Sequence, residues 1–109
     1  MKFDFLDIAI AAAAAVVFFL AGQASAEEAD RIADAKGCTA CHSLNKRVVG
    51  PSFKEVARKY SGKASAQAAL ERKVIEGGSG VWGPIPMPPH KGRVSDSEAR
   101  ILVQWVLAQ

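Results

Sequence analysis

Cys38-Thr39-Ala40-Cys41-His42 constrains this chain more than any other feature. Two cysteines with two residues between them, followed at once by histidine, are the attachment pattern of a c-type haem. The two thiols can add to the vinyl groups along one porphyrin edge, and the next residue then presents an imidazole nitrogen to iron. Residue counts narrow the rest of the site. The chain has two cysteines, both in the motif, two histidines, His42 and His90, and two methionines, Met1 and Met87. If Met1 leaves with a leader peptide, Met87 is the remaining thioether for the second axial position.

Three other readings of the motif compete. A redox dithiol of the thioredoxin kind belongs in a βαβ context, and no alternating strand pattern is visible in the sequence. A structural zinc site usually takes four ligands. Cys38, Cys41, His42 and His90 could formally supply them, but adjacent Cys41 and His42 are awkward tetrahedral partners. Two plain buried cysteines would leave both the adjacent histidine and the export signal as coincidences. Haem attachment uses all of these features together. One haem c per chain is expected, with Cys38 and Cys41 as attachment points and His42 and Met87 on the metal.

Residues 1–26 read as a secretory leader. Ile8 to Ala21 is an apolar run of 14 residues, and Ala24-Ser25-Ala26 has the small-x-small form read by signal peptidase. The run is short for a membrane span, which needs about 20 apolar residues, so an uncleaved anchor is the lesser alternative. Removal of the leader leaves residues 27–109 as one small exported domain. Domains of this size often need a cofactor, metal or disulfide to complete a core. With both thiols committed to porphyrin, the haem itself is expected to serve.

Losing Lys2, Asp4 and Asp7 leaves 13 of the 14 basic residues and 9 of the 11 acidic ones, a formal +4. That charge is too small and too interspersed for nucleic-acid binding, but it can bias a docking face toward acidic partners. No glycine-rich phosphate loop, nucleophile triad or paired-carboxylate site stands out, so no enzymatic chemistry is expected.

Short helices with punctuated loops account for the rest. A first helix is expected over Ala29 to Ala35, with Gly37 easing close approach at the following turn. Gly50-Pro51 marks a loop. Ser52, with Glu55 three residues on, forms a capping box for a helix to about Tyr60, whose inner face carries Phe53, Val56, Ala57 and Tyr60. A third helix covers Ser65 to Glu76, with Ala66, Ala69, Leu70 and Val74 inward. Four prolines between Pro84 and Pro89 keep Ser79 to Gly92 a loop. Ser95 and Glu98 repeat the capping box for a last helix with Ile101, Leu102, Trp105 and Val106 inward, Trp105 anchoring it against the first helix.

At Gly50-Pro51 and Val81-Trp82-Gly83-Pro84-Ile85-Pro86-Met87-Pro88-Pro89 the chain resembles the small bacterial class I c-type cytochromes of the cytochrome c-551 (cytochrome c8) group. The resemblance runs from about Ala29 to Gln109. It implies a compact all-α fold of about four short helices around one haem, and a monomeric periplasmic electron carrier. Such a carrier passes electrons between redox proteins, with no nucleic acid and no lasting membrane insertion. It also implies that Pro51 offers its carbonyl to the proximal histidine, that Trp82 donates to a haem propionate, and that Lys73 is the basic propionate partner. The sequence departs from the group at His90-Lys91-Gly92-Arg93, where relatives typically carry an Asn that bonds the methionine sulfur. Met87 lies within the rigid Trp82-to-Pro89 frame, whereas His90 lies at its exit beside Lys91 and Gly92, so His90 is expected to be partly exposed and off the metal. Two other functions share the motif: an electron-entry subunit of a larger oxidoreductase, and a haem enzyme or sensor with an open distal position.

Overall fold

The computed structural model describes residues 25–109, and the expected leader lies outside the described residues except for Ser25 and Ala26. Helix α1 occupies 25–35 of this range, so helical structure begins before the expected Ala29. Ala26, Glu27 and Glu28 are good helix formers, and nothing in that stretch breaks the pattern. Ala29 and Ala33, one turn apart, are each 0% exposed and set the buried stripe of the helix. Gly37, at φ 81, then turns the chain into a short 3-10 segment, Cys38–Ala40. Only glycine holds that left-handed backbone cheaply.

Helix α2 spans Phe53–Tyr60, and its capping box is complete. Ser52 Oγ accepts from the Glu55 N–H at 3.1 Å, and Glu55 Oε2 accepts from the Ser52 N–H at 2.8 Å. Helix α3 spans Ala66–Glu76 and helix α4 spans Asp96–Leu107. In α4 the same reciprocal pair joins Ser95 and Glu98. Each box satisfies amide donors that a helix start otherwise leaves without partners.

Helix α4 packs on both α2 and α3. The buried centre joins Ala33 of α1, Val94, and Ala99 and Leu102 of α4, with Ile32, Cys38, Val74, Ile75 and Trp105 packed around it. Trp105 thus reaches the cluster containing Ala33, as expected, and its ring also meets Phe53 edge-on at 5.1 Å. The inward faces expected of α3 and α4 need amendment. Ala69 is exposed, whereas Val103 is buried beside Leu102. A small alanine can sit at the margin of an apolar stripe at little cost, and α4 faces two partner helices, which widens its buried arc.

Among the described residues there is no strand of any length. Isolated antiparallel bridges join His42 to Arg47 and Gly78 to Met87. The domain is all-α, and its long loops bring one wall of a cleft over the helices.

Candidate haem site

Cys38 and Cys41 lie at the 3-10 turn, where the Cys41 and His42 amides both donate to the Cys38 carbonyl at 3.2 and 2.9 Å. This tight winding carries three functional side chains within one turn of chain. No disulfide joins Cys38 to Cys41. Burial pushes the Cys38 thiol above its ordinary value, against a weaker opposing pull from its backbone hydrogen bond and from Arg93.

His42 Nδ1 lies 2.7 Å from the carbonyl oxygen of Pro51. A carbonyl can only accept, so Nδ1 carries the hydrogen and Nε2 keeps a lone pair for a metal. Gly50 lets the ring stand where it does. A Cβ on that residue would fall 2.5 Å from His42 Cε1 and 2.9 Å from Nδ1, closer than real contacts allow. The ring also stacks on Phe53, with centroids 5.4 Å apart and planes 21° apart. Pro51, Ser52 and Phe53 are all buried, so the proximal side is fixed by the start of α2.

Cys38, Cys41, His42 and Met87 line one cleft of about 330 Å³. Its walls are mainly apolar, with Phe53, Val56, Leu70, Leu102, Trp105 and Val106 among them. Trp82, Pro51 and Lys73 also line it. The four residues expected at the cofactor are therefore brought together, as are the three assigned by resemblance. Two thiols on one turn, an imidazole with one nitrogen tied down, a thioether and an apolar lining fit a c-type haem.

His90 corrects an expectation. It is 8% exposed, not partly exposed, and it is not on the cleft wall. Its Nδ1 donates to the Val74 carbonyl at 3.2 Å. His90 thus stands off the wall shared by Cys38, Cys41 and His42, and among the described residues no three of His, Cys, Asp and Glu cluster as a metal site.

Sequence reasoning missed the surroundings of Trp82. The Arg47 guanidinium carbon lies 5.6 Å and Lys59 Nζ 5.4 Å from its ring centroid. Arg47 also pairs with Glu55 at 3.6 Å. The Ser52 amide, together with Arg47, holds the Glu55 carboxyl below the usual carboxylate range. No sequence signal links residues 47, 59 and 82, because the fold alone makes them neighbours.

A cytochrome c family model matches residues 26–109. The chain belongs to the cytochrome c family. It is 49% identical to cytochrome c-551 of Pseudomonas aeruginosa over 90 residues, which is 83% of this chain and 85% of that protein. Cytochrome c-552 of Hydrogenobacter thermophilus is 48% identical over 89 residues, or 82% of this chain and 87% of that protein. The crystal structure of cytochrome c552 from Nitrosomonas europaea superposes with a TM-score of 0.69 at 44% identity. That match covers 72% of this chain and 96% of the other. The chain is thus a small class I c-type cytochrome of the c-551 group, with the all-α cytochrome c fold and electron transfer by a c-type haem as its function.

Proposed function

We propose that this cytochrome is a periplasmic one-electron carrier whose single haem c is attached through Cys38 and Cys41 and ligated by His42 and Met87. The observation that carries the reading is the convergence of all four side chains on one apolar cleft, with His42 already oriented by Pro51. When bound, the haem supplies the Fe(II)/Fe(III) couple. The protein's part is to hold both axial donors, exclude water and limit rearrangement between oxidation states. A thioether and a low-dielectric lining favour Fe(II) and raise the potential. The Pro51 carbonyl works the other way, since it increases imidazole donation. With His42 and Met87 both serving the metal, no position would remain open for a substrate, which sets this reading apart from a haem enzyme or sensor.

Residues 1–26 act in this proposal as a leader cleaved after Ala26. Among the described residues no helix is long and apolar enough to cross a membrane. Trp82 and Lys73 are the candidates to meet the haem propionates, and both are on the cleft wall.

A docking face surrounds the cleft. Val48, Val49, Val81 and Ile85 line it and remain 58%, 48%, 49% and 64% exposed. Arg47 on the cleft wall and Lys59 against Trp82, with Lys46 and Lys54 as further candidates, would supply a basic margin that steers an acidic redox partner, while the apolar collar permits close approach. Lys36 pairs with Glu98 at 3.7 Å near the start of α4 and is not counted in that margin.

Acid–acetone extraction followed by mass measurement tests covalent attachment. The chromophore should stay with the polypeptide and add the mass of one haem to residues 27–109. Clean release of haem from the wild-type protein would refute thioether attachment.

A further inference from the structure

The methionine arm leaves α3 and returns to it. Gly77, at φ 69, reverses the chain after Glu76, and its Cβ position is occupied by the Met87 carbonyl and the Pro88–Pro89 backbone. Next to it, Gly78 and Met87 exchange both backbone hydrogen bonds, at 3.0 and 2.8 Å. Beyond Met87, Pro88 and Pro89 have no N–H to give. Residue 90 is thus the first point after Met87 where the chain can donate to the body of the protein.

At that point the contacts are dense. The His90 amide is shared between the Val74 and Ile75 carbonyls at 3.2 and 3.1 Å, and the Lys91 amide donates to Ile75 at 3.1 Å. His90 Nδ1 adds its own bond to Val74 at 3.2 Å. These acceptors belong to the last turn of α3, whose carbonyls have no partners within the helix. On the other side, the His90 carbonyl accepts from Arg93 and Val94, both at 2.9 Å, and Val94 is buried in the core just before the cap of α4. Val74 and Ile75 themselves pack against that core.

We infer that His90 is a positioning residue for Met87. Its imidazole latches the exit of the methionine arm to the end of α3 and so limits how readily the sulfur leaves iron. The inference rests on Met87 being the sixth ligand. Departure of Met87 is a local opening of the arm, and its cost depends on what ties the arm down. Backbone bonds at residue 90 survive substitution, but without the side-chain bond the Val74 carbonyl loses a donor and the buried space loses its ring. One hydrogen bond of this kind shifts such an equilibrium about three- to tenfold.

Displacement of Met87 by added imidazole, followed through loss of the sulfur-to-iron charge-transfer band of oxidised holoprotein, reads that equilibrium directly. His90→Ala should keep the band in buffer but bind imidazole about three- to tenfold more tightly than wild type. His90→Asn, whose amide nitrogen stands in for Nδ1 as a donor to Val74, should return to within about twofold of wild type. Should His90→Ala fail to fold, His90→Leu fills the site without a donor and should show the same tightening. Wild-type imidazole affinity in the donor-free variant overturns the latch while leaving the ligand reading intact. An asparagine variant that behaves like the donor-free one also overturns it. Absence of the band from the wild-type protein would instead bring down the ligand reading, and the latch with it.

Discussion

The carbonyl of Pro51 holds His42 by Nδ1 at 2.7 Å, and the residue before that proline, Gly50, has no side chain to push the ring away. Two adjacent residues thus set both the tautomer and the position of the imidazole. Gly50→Ala separates these effects from the haem attachment itself. A methyl group 2.5 Å from Cε1 must displace the ring or the loop. We expect a loss of about 1–3 kcal/mol in unfolding free energy, the usual cost of overpacking. The reduction potential should rise, because an imidazole pulled off Pro51 donates less to Fe(III). Potentiometric titration alongside denaturant unfolding checks both. Unchanged values would mean that the loop yields freely and does not position His42.

The start of α2 carries the proximal side, so its cap should matter. Ser52→Ala should cost about 1 kcal/mol, the typical value for a lost N-cap. Glu55 adds a pH dependence. Its carboxyl lies below the usual range in the folded protein, chiefly through the Ser52 amide. Folding therefore favours the charged form. The resulting stability is present above the ordinary carboxylate range and is lost as pH falls through the folded value. The stability difference between wild type and Glu55→Gln should be largest near neutrality and shrink on acidification. A difference that does not vary with pH would show that the charge of Glu55 contributes nothing.

Much of this organisation is legible in the sequence. The Ser-x-x-Glu boxes at Ser52 and Ser95 are local signals, and the structure starts α2 and α4 immediately after them. Cys38, Cys41, His42 and Met87 are legible because chemistry restricts which residues can serve, and the chain has few candidates. His90 was not legible. Its sequence neighbours Lys91 and Gly92 suggest a surface loop, but its burial follows from the C-terminus of α3, 15 and 16 residues earlier, offering carbonyls to the returning chain. The pairing of Arg47 and Lys59 with Trp82 has the same origin. Contacts made by tertiary closure leave no periodicity to read.

Phe53 joins the site to the core, touching His42 on one side and Trp105 on the other. It is buried, so Phe53→Ala should cost about 3–5 kcal/mol. Phe53→Leu should cost less while still removing the stacking on His42. Thermal or denaturant unfolding of the two holoproteins distinguishes lost volume from lost ring contact. Equal penalties for Ala and Leu would assign the cost to the aromatic contacts and not to the cavity.

The basic margin predicts salt dependence. The rate of electron transfer to an acidic redox partner should fall as ionic strength rises, since exposed charges are screened beyond about 10 Å at 0.1 M salt. Lys59→Gln should lower the low-salt rate roughly two- to fivefold, the effect of an exposed pair worth up to ~1 kcal/mol. The high-salt rate should change little. A wild-type rate indifferent to salt would leave the collar of Val48, Val49, Val81 and Ile85 as the sole determinant of docking.

The most direct test of His/Met ligation is the sulfur-to-iron charge-transfer band in oxidised protein, compared across three forms. It should be present in wild type, persist in His90→Ala without added ligand, and vanish in Met87→Ala. Bis-imidazole spectra in wild type that collapse in His90→Ala would contradict this assignment and make His90 the sixth ligand.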